Sequence, residues 1–441
     1  MVQPRIMTGF MELLPEDQIQ FNRMRDTIRG VYEEFGFLPL DTPVIELSEI
    51  LLAKAGGETE KQIYRFQKGD HDLALRFDLT VPLARYTAQH ENELIFPFKR
   101  YQIGKVFRGE RPQKGRYREF YQCDIDVIGH EELSLYYDAE IPAVINRVFE
   151  KLAFGEFTIR MNNRKLLNGF FGRLGLSDQI ADILRIIDKL EKIGPDAVRS
   201  ELLELGVSEA QLDEILDFLA IKGTNDEVLV KLKELVREDE EDQTFEQGVS
   251  EMELVVSNMR LLGIPKERFE IDLTIARGLD YYTGTVYETK LNDYPELGSV
   301  CSGGRYDNLT GHYTKTKMPG IGISIGLTRL FSKLKEAGLL KAESRTLSSV
   351  LVVPMSDNEM PAALTAAKVL RSHGIKTDVY YENKGLKQKL KYASRLGVPF
   401  VVLIGESEAA EGQVQLKDMR ASEQTLLTIQ EAAAFIKNNL R

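Results

Sequence analysis

The chain has 441 residues, 43% of them apolar and 28% charged, and a formal net charge of −11, which allows about two to four soluble globular domains with a large core. Two cysteines, Cys123 and Cys301, and five histidines without ligand spacing exclude a disulfide scaffold and a paired-cysteine zinc site. No stretch approaches the ~20 continuous apolar residues of a membrane helix and no export-signal core opens the sequence, so a cytoplasmic protein with no membrane partner is expected; taken alone, the acidic total also argues against a polyanionic partner.

From Pro15 the apolar residues Phe21, Met24, Ile28, Val31 and Phe35 recur at spacings of 3, 4, 3 and 4, which predicts a helix stopped by Gly36. Residues 37–45 carry Pro39 and Pro43. They predict a strand at a sheet edge or an interface, because proline cannot donate to a ladder. Strands are expected at 73–77, 98–108 and 120–128, the last two forming an antiparallel hairpin across the polar turn 109–115. A helix near 140–152 and a strand at 157–161 follow. From about Leu176 to Glu240 the composition turns to Leu, Ile, Glu and Lys at helical spacing, and the acidic run 238–242 closes it. Strands resume at 269–275, 285–291 and 321–325, and a helix begins near Leu327. Residues 337–349 read as a linker. The end of the chain alternates strand and helix, with strands at 350–353, 376–381 and 400–404, which predicts a separate domain with a largely parallel sheet.

The charge is distributed unevenly. Between Phe98 and Arg118 there are eight cations, Lys99, Arg100, Lys105, Arg108, Arg111, Lys114, Arg116 and Arg118, against one acid, Glu110. A solvated basic hairpin is the plain reading. A phosphate site is the sharper one, because guanidinium forks match phosphate oxygens and stay charged at any relevant pH. The segment Arg277-Gly278-Leu279-Asp280-Tyr281-Tyr282-Thr283-Gly284 follows an alternating strand and offers an arginine and two phenols at a strand end. Gly320, Gly322 and Gly326 lie on a strand that runs into a helix carrying Arg329. Glycines on a strand face leave room for a flat ligand, although such spacing more often marks close packing. No Walker loop or dinucleotide fingerprint surrounds them.

These stretches together resemble the class II aminoacyl-tRNA synthetases and, within them, the histidyl-tRNA synthetases. Phe35-Gly36-Phe37 with Pro43-Val44-Ile45 resembles motif 1 of the class. Phe107-Arg108-Gly109-Glu110-Arg111 through Arg118-Glu119-Phe120-Tyr121-Gln122 resembles motif 2. Gly326-Leu327-Thr328-Arg329-Leu330 resembles motif 3. The 277–284 segment, Gly303-Gly304-Arg305-Tyr306-Asp307 and residues 111–120 are similar to histidine-specific stretches, and the resemblance covers the whole chain.

The resemblance implies an α/β (α+β) fold, with an antiparallel-sheet catalytic domain at 1–335, a helical insertion at 176–243 and an α/β anticodon-binding domain at 347–441. It implies a ligase that activates L-histidine with ATP and Mg²⁺ and transfers it to tRNA(His), as a homodimer, with no fixed protein site for the metal. Arg108, Arg277 and Arg329 are the implied catalytic cations. Arg108, Glu110, Phe120 and Arg329 are the implied ATP contacts, with Phe120 stacking on adenine. Asp78, Thr80 and Gln122 align with ammonium-binding positions, and Asp126, Tyr281 and Tyr282 with the imidazole partners. Gln113 and Arg118 would read the extra 5′ guanosine of the tRNA and Arg116 its phosphate. Many bacterial members carry glutamate at the positions of both Asp78 and Asp126; the shorter acids are similar to the group that includes archaeal and eukaryotic members.

In the tail, Lys384, Lys387, Lys391 and Arg395 fall at helical spacing, and the tail is net +2 while the whole chain is −11. Anticodon contact and a solvated face are both open for that stripe. The family uses its insertion as a clamp on the acceptor stem. Two rivals are a histidine-binding, catalytically inactive relative such as an ATP phosphoribosyltransferase regulatory subunit, and a class II synthetase for proline or threonine. The retained arginines and the tail speak against the first, and the paired tyrosines against the other.

Overall fold

A computed structural model describes residues 1–53, 58–111, 115–237, 242–276, 282–340, 345–421 and 423–440. The chain forms two compact units, one of residues 1–11 with 24–339, the other of residues 12–23 with 340–441.

The larger unit is built on an eight-stranded sheet. In spatial order its strands are Leu38–Pro39, Phe98–Phe107, Glu119–Ile128, Gly320–Ile325, Cys301–Tyr306, Tyr282–Leu291, Phe157–Asn163 and Phe269–Ile271. The inner pairings are antiparallel, and the two edge pairings are parallel. The Pro39 segment does lie at a sheet edge, but the expected single strand is two. Leu38–Pro39 joins the large sheet, and Ile45–Leu47 joins a small sheet with Arg65–Lys68 and His71–Leu75.

The back of the sheet is apolar. Cys123, Ile125 and Val127 are buried there. Tyr32, from the helix Pro15–Glu34, donates its hydroxyl to the Cys123 carbonyl at 2.9 Å. The helix Tyr136–Leu152 adds Ile141, Ile145, Val148 and Phe149 to the core. Its buried Asp138 pairs with Arg305 at 2.6 Å, so the arginine of the Gly-Gly-Arg-Tyr-Asp stretch serves the fold.

The expected strand at 269–275 stops at Ile271. Asp272 accepts from the Thr274 N–H at 2.9 Å and from its hydroxyl at 2.6 Å, a local turn that competes with the ladder. The expected helical segment contains Ile180–Ile187, Leu190–Glu204, Glu209–Leu219 and Asn225–Glu234. Ser208 with Gln211, and Thr224 with Glu227, close capping boxes at the last two. A kink at Gly194, with φ of 79°, breaks Leu190–Glu204 ahead of Pro195. Of the acidic run, residues 238–241 lie outside the described residues. The sequence pattern did not anticipate the helix Thr244–Leu261, although Phe245, Val249, Met252, Val256 and Met259 form its buried stripe.

The smaller unit has a five-stranded sheet. Thr377–Val379, Val350–Pro354 and Phe400–Ile404 are parallel, as the alternation implied, and Gln413–Asp418 and Gln424–Thr428 add an antiparallel hairpin that the pattern did not announce. The helix expected to carry Lys384 starts at Leu386, so Lys384 precedes it, and Gly385 is its N-cap. Lys389, on the same helix, is buried and donates to the Pro354 carbonyl at 2.7 Å.

Gly303 lies where two antiparallel strands meet. A Cβ there would collide with the carbonyl oxygen of Gly322 on the adjacent strand, and backbone cannot move aside cheaply. Gly303→Ala should therefore lower the stability of the larger unit by about 1–3 kcal/mol, seen as a lower midpoint in thermal or urea unfolding.

Candidate active site

An open cavity of about 500 Å³ lies on the polar face of the large sheet. Strand geometry explains its lining. Side chains two apart on a strand share a face, so Glu119–Ile128 turns Phe120, Gln122, Asp124 and Asp126 toward the cavity while Cys123, Ile125 and Val127 face the core. The adjacent strand passes at Gly322. A Cβ there would collide with the Asp126 carboxylate and the Ile125 carbonyl, so the glycine makes room for the acid.

Four carboxyls are buried at this site: Asp78, Asp124, Asp126 and Glu288. Asp126 pairs with the fully buried Arg100 at 2.6 Å and accepts the Tyr306 hydroxyl at 2.7 Å. Even so, burial raises its pKa to about 6, opposed by the Arg100 charge. Asp124 has no bonded cation among the described residues. Burial pushes it up to about 7, against the pull of Arg100 and Ser324. Asp78 is also raised by burial; it accepts the Val81 N–H at 3.0 Å, at the start of the helix Thr80–Gln89. Gln122 donates its Nε2 to the Ser324 hydroxyl at 2.7 Å.

Cations and the hairpin line the same cavity. Arg108 donates Nε to the Phe77 carbonyl at 3.0 Å, and its guanidinium lies 5.2 Å from the Phe120 ring centre. Arg329 leaves the motif 3 helix Leu327–Glu336 and donates to the Leu297 carbonyl at 3.1 Å. Arg116 pairs with Glu110 at 3.4 Å and is more than half exposed. Tyr117 donates to the Ser332 hydroxyl at 2.9 Å and the Thr328 hydroxyl accepts the Tyr121 N–H at 2.8 Å, which ties the hairpin to that helix.

Asp78, Thr80, Arg108, Glu110, Arg116, Phe120, Gln122, Asp126, Tyr282 and Arg329 thus all line one cavity, although they are scattered along most of the larger unit's sequence. Arg118 is turned elsewhere. Its N–H meets the Gly9 carbonyl at 2.7 Å, and its guanidinium meets the Glu110 carbonyl at 3.1 Å. Arg277, Tyr281 and Gln113 lie outside the described residues. Sequence reasoning passed over Asp124, Ser324 and Tyr306 as site residues. The alternation Gln122, Asp124, Asp126 was a signal for the first. Tyr306 stood in a histidine-specific stretch without an assigned role. Ser324 carried no signal of its own.

A family model described as histidyl-tRNA synthetase matches residues 9–330, and one described as an anticodon binding domain matches residues 349–439. The chain is similar to the histidine–tRNA ligase of Clostridium tetani, 58% identical over 438 residues and 99% of each chain. It is similar to that of Xanthomonas campestris pv. campestris, 48% identical over 464 residues, covering 100% of this chain and 97% of the other. Its structure is similar to the crystal structure of histidyl-tRNA synthetase from Nostoc sp. PCC 7120, with a TM-score of 0.93, 46% identity and 100% of both chains covered. An ATP phosphoribosyltransferase regulatory subunit/histidyl-tRNA synthetase from Bacillus halodurans superposes with a TM-score of 0.74 at 19% identity, over 91% of this chain and 98% of that one, and shares the fold alone.

The raised carboxyls make stability depend on pH. A carboxyl with a folded pKa near 7 and an unfolded one near 4 binds its proton more tightly in the folded state, so stability rises as pH falls between those values. Asp124→Asn, which stays neutral, should raise the unfolding temperature of the ligand-free protein at about pH 8. That advantage should shrink below about pH 7 and vanish by about pH 4, as read by calorimetric scans across pH.

Proposed function

The chain belongs to the histidyl-tRNA synthetase family, and from that premise we propose how its cavity activates L-histidine and hands it to tRNA(His). The reaction is ligation of histidine to tRNA with ATP. The observation that carries it is the 58% identity to a histidine–tRNA ligase over 99% of both chains.

The histidine carboxylate attacks the α-phosphorus of ATP in line. A carboxyl–phosphorus bond forms, the bond to the bridging oxygen breaks, and diphosphate leaves with that electron pair. The terminal ribose hydroxyl of the tRNA then attacks the carbonyl carbon, its proton is lost, and AMP departs. Two anions must meet in the first step, so cations that strengthen their grip as charge builds lower the barrier. Arg108 and Arg277 are the cations for the α-phosphate and the attacking carboxylate, and Arg329 for the far end of the triphosphate. Phe120, its plane steadied by Arg108, takes the adenine beside Glu110. The lining of one cavity by Arg108, Phe120, Glu110 and Arg329 supports this.

For histidine, Asp78, Thr80 and Gln122 accept the ammonium, and Asp126 with Tyr282 and Tyr281 takes the imidazole. Asp126 is already oriented by Arg100 and Tyr306, so it meets a ring N–H without reorganisation. An apolar side chain would leave these buried groups unpaired, a penalty worth ~10⁴–10⁵ in discrimination at sites of this kind. Magnesium arrives on the phosphates and takes few protein ligands. Among the described residues no cluster of three metal-binding side chains occurs, and the cavity carboxylates Glu110 and Glu288 suit an ion carried by its nucleotide.

For the tRNA, exposed Arg116 suits phosphate, with Gln113 for the 5′ guanosine, and the 347–441 domain takes the anticodon. Leu38, Val44, Ile45 and Leu47 are exposed around the edge strand, which favours a homodimer joined there. Among the described residues no helix is long and apolar enough to cross a membrane, in keeping with work in the cytoplasm.

Pyrophosphate exchange into ATP, measured with each of the twenty amino acids, should proceed with histidine and stop when Mg²⁺ is chelated. Absence of histidine-dependent exchange would overturn the assignment. Arg277→Ala should lower kcat for exchange by about 100-fold or more with little change in histidine affinity. Equal losses in both would rule out a transition-state role for Arg277.

A further inference from the structure

The middle acid of the cavity floor has no assigned task. Asp124 is 2% exposed, lines the cavity, and its Oδ1 has no hydrogen-bond partner among the described residues. It lies between Gln122 and Asp126 on one strand face, about 6.6–6.8 Å from each along the strand. Its neighbours explain why it stays uncompensated. Arg100, the cation whose charge it feels most, gives its close ion pair to Asp126. Asp78 and Asp126 add negative charge, and the Ser324 hydroxyl adds the remaining support. A buried carboxylate in that position weakens the fold and gives the fold nothing in return.

Ser324 links Asp124 to Gln122. The two strands put Ser324 directly opposite Asp124. The Ser324 oxygen accepts from Gln122 Nε2 at 2.7 Å. A hydroxyl has one proton to give, and here the Asp124 carboxylate is the group it supports. Ser324 accepts from Gln122 Nε2, which leaves its own proton for the Asp124 carboxylate opposite. With Nε2 on Ser324 the amide turns Oε1 elsewhere, and Oε1 is buried without a partner among the described residues. Two partnerless acceptors, Gln122 Oε1 and Asp124 Oδ1, therefore sit on neighbouring same-face positions of the floor. Acceptors alone, with one negative charge, call for a cationic group with several N–H bonds.

We propose that Asp124 is a specificity-determining residue for the amino-acid substrate: its free oxygen accepts an N–H of the α-ammonium, and through Ser324 it holds Gln122 with its carbonyl oxygen toward the same group. This rests on reading the cavity as the histidine site. It adds a buried anion to the ammonium contacts and gives the Gln122 orientation a cause.

The test compares wild type, Asp124→Asn and Ser324→Ala in histidine-dependent pyrophosphate exchange, with two competitors. Histidinol keeps the ammonium and lacks the carboxylate; imidazole-4-propionate keeps the carboxylate and lacks the ammonium. Asp124→Asn is isosteric, and unfolding scans serve as the check that it folds. It should raise the KM for histidine and the inhibition constant of histidinol by about 10- to 100-fold, the worth of a hydrogen bond to a charged group. The inhibition constant of imidazole-4-propionate and the KM for ATP should stay within about twofold of wild type. Ser324→Ala should shift the same two constants in the same direction by less. If Asp124→Asn weakens both competitors equally, or leaves histidinol unaffected, the proposal is wrong and Asp124 is structural. If wild type shows no histidine-dependent exchange, the reading of the cavity itself has failed, and the proposal falls with it.

Discussion

Buried negative charge is the constraint around which the catalytic unit is arranged. Asp78, Asp124 and Asp126 are all withdrawn from water at one cavity, and Arg100, fully buried, stands among them with its ion pair on Asp126. Charges of one sign cannot be collected in a low-dielectric interior without a cost of several kcal/mol per ion unless they are paired. The raised carboxyls express that cost. A substrate with an ammonium and two ring nitrogens, as proposed for this cavity, would relieve it. Binding and the relief of native-state stress are then one event, which is how perturbed carboxyls come to mark functional ground.

The antiparallel sheet makes this arrangement possible. Its period of two puts acids on one face and Cys123, Ile125 and Val127 on the other. Its ladder fixes Ser324 opposite Asp124 and Gly322 opposite Asp126 without help from side chains. Glycine on the neighbouring strand supplies the volume that the Asp126 carboxylate fills. The hairpin and the Leu327–Glu336 helix add cations to the same cavity, joined through Tyr117, Ser332 and Thr328. Acids and cations therefore line one cavity. This local charge also resolves the acidic total. The net charge of −11 describes the whole chain, whereas the hairpin at the cavity is strongly basic.

Where period or composition carried the information, the sequence was legible. The hairpin Phe98–Phe107 with Glu119–Ile128, the strand Gly320–Ile325 and the three parallel strands of the smaller unit all announced themselves. Misses came where local chemistry overrode period. Asp272 caps its own turn and ends a strand that alternation would have continued. Gly194 and Pro195 kink a helix that composition made uniform. The helix Thr244–Leu261 was hidden by the acidic run before it.

The sequence alone determined the family, because the stretches that carry the resemblance are short contiguous strings: Arg108 to Gln122, Arg277 to Gly284, Gly326 to Leu330. It also determined which side chains could bear charge at all. Tertiary structure decided which of those charges are compensated. Arg305 stands in a stretch similar to histidine-specific ones, yet it neutralises Asp138 on a helix far earlier in the chain. Arg118 reads as a base-reading residue, yet its guanidinium is bonded to a neighbouring carbonyl. Asp124 and Asp126 are the same residue two positions apart, and the fold pairs one with Arg100 and leaves an oxygen of the other without a partner. Pairing depends on which strand lies alongside and in what register, and register is set by the closing of the sheet, which no single stretch of sequence contains.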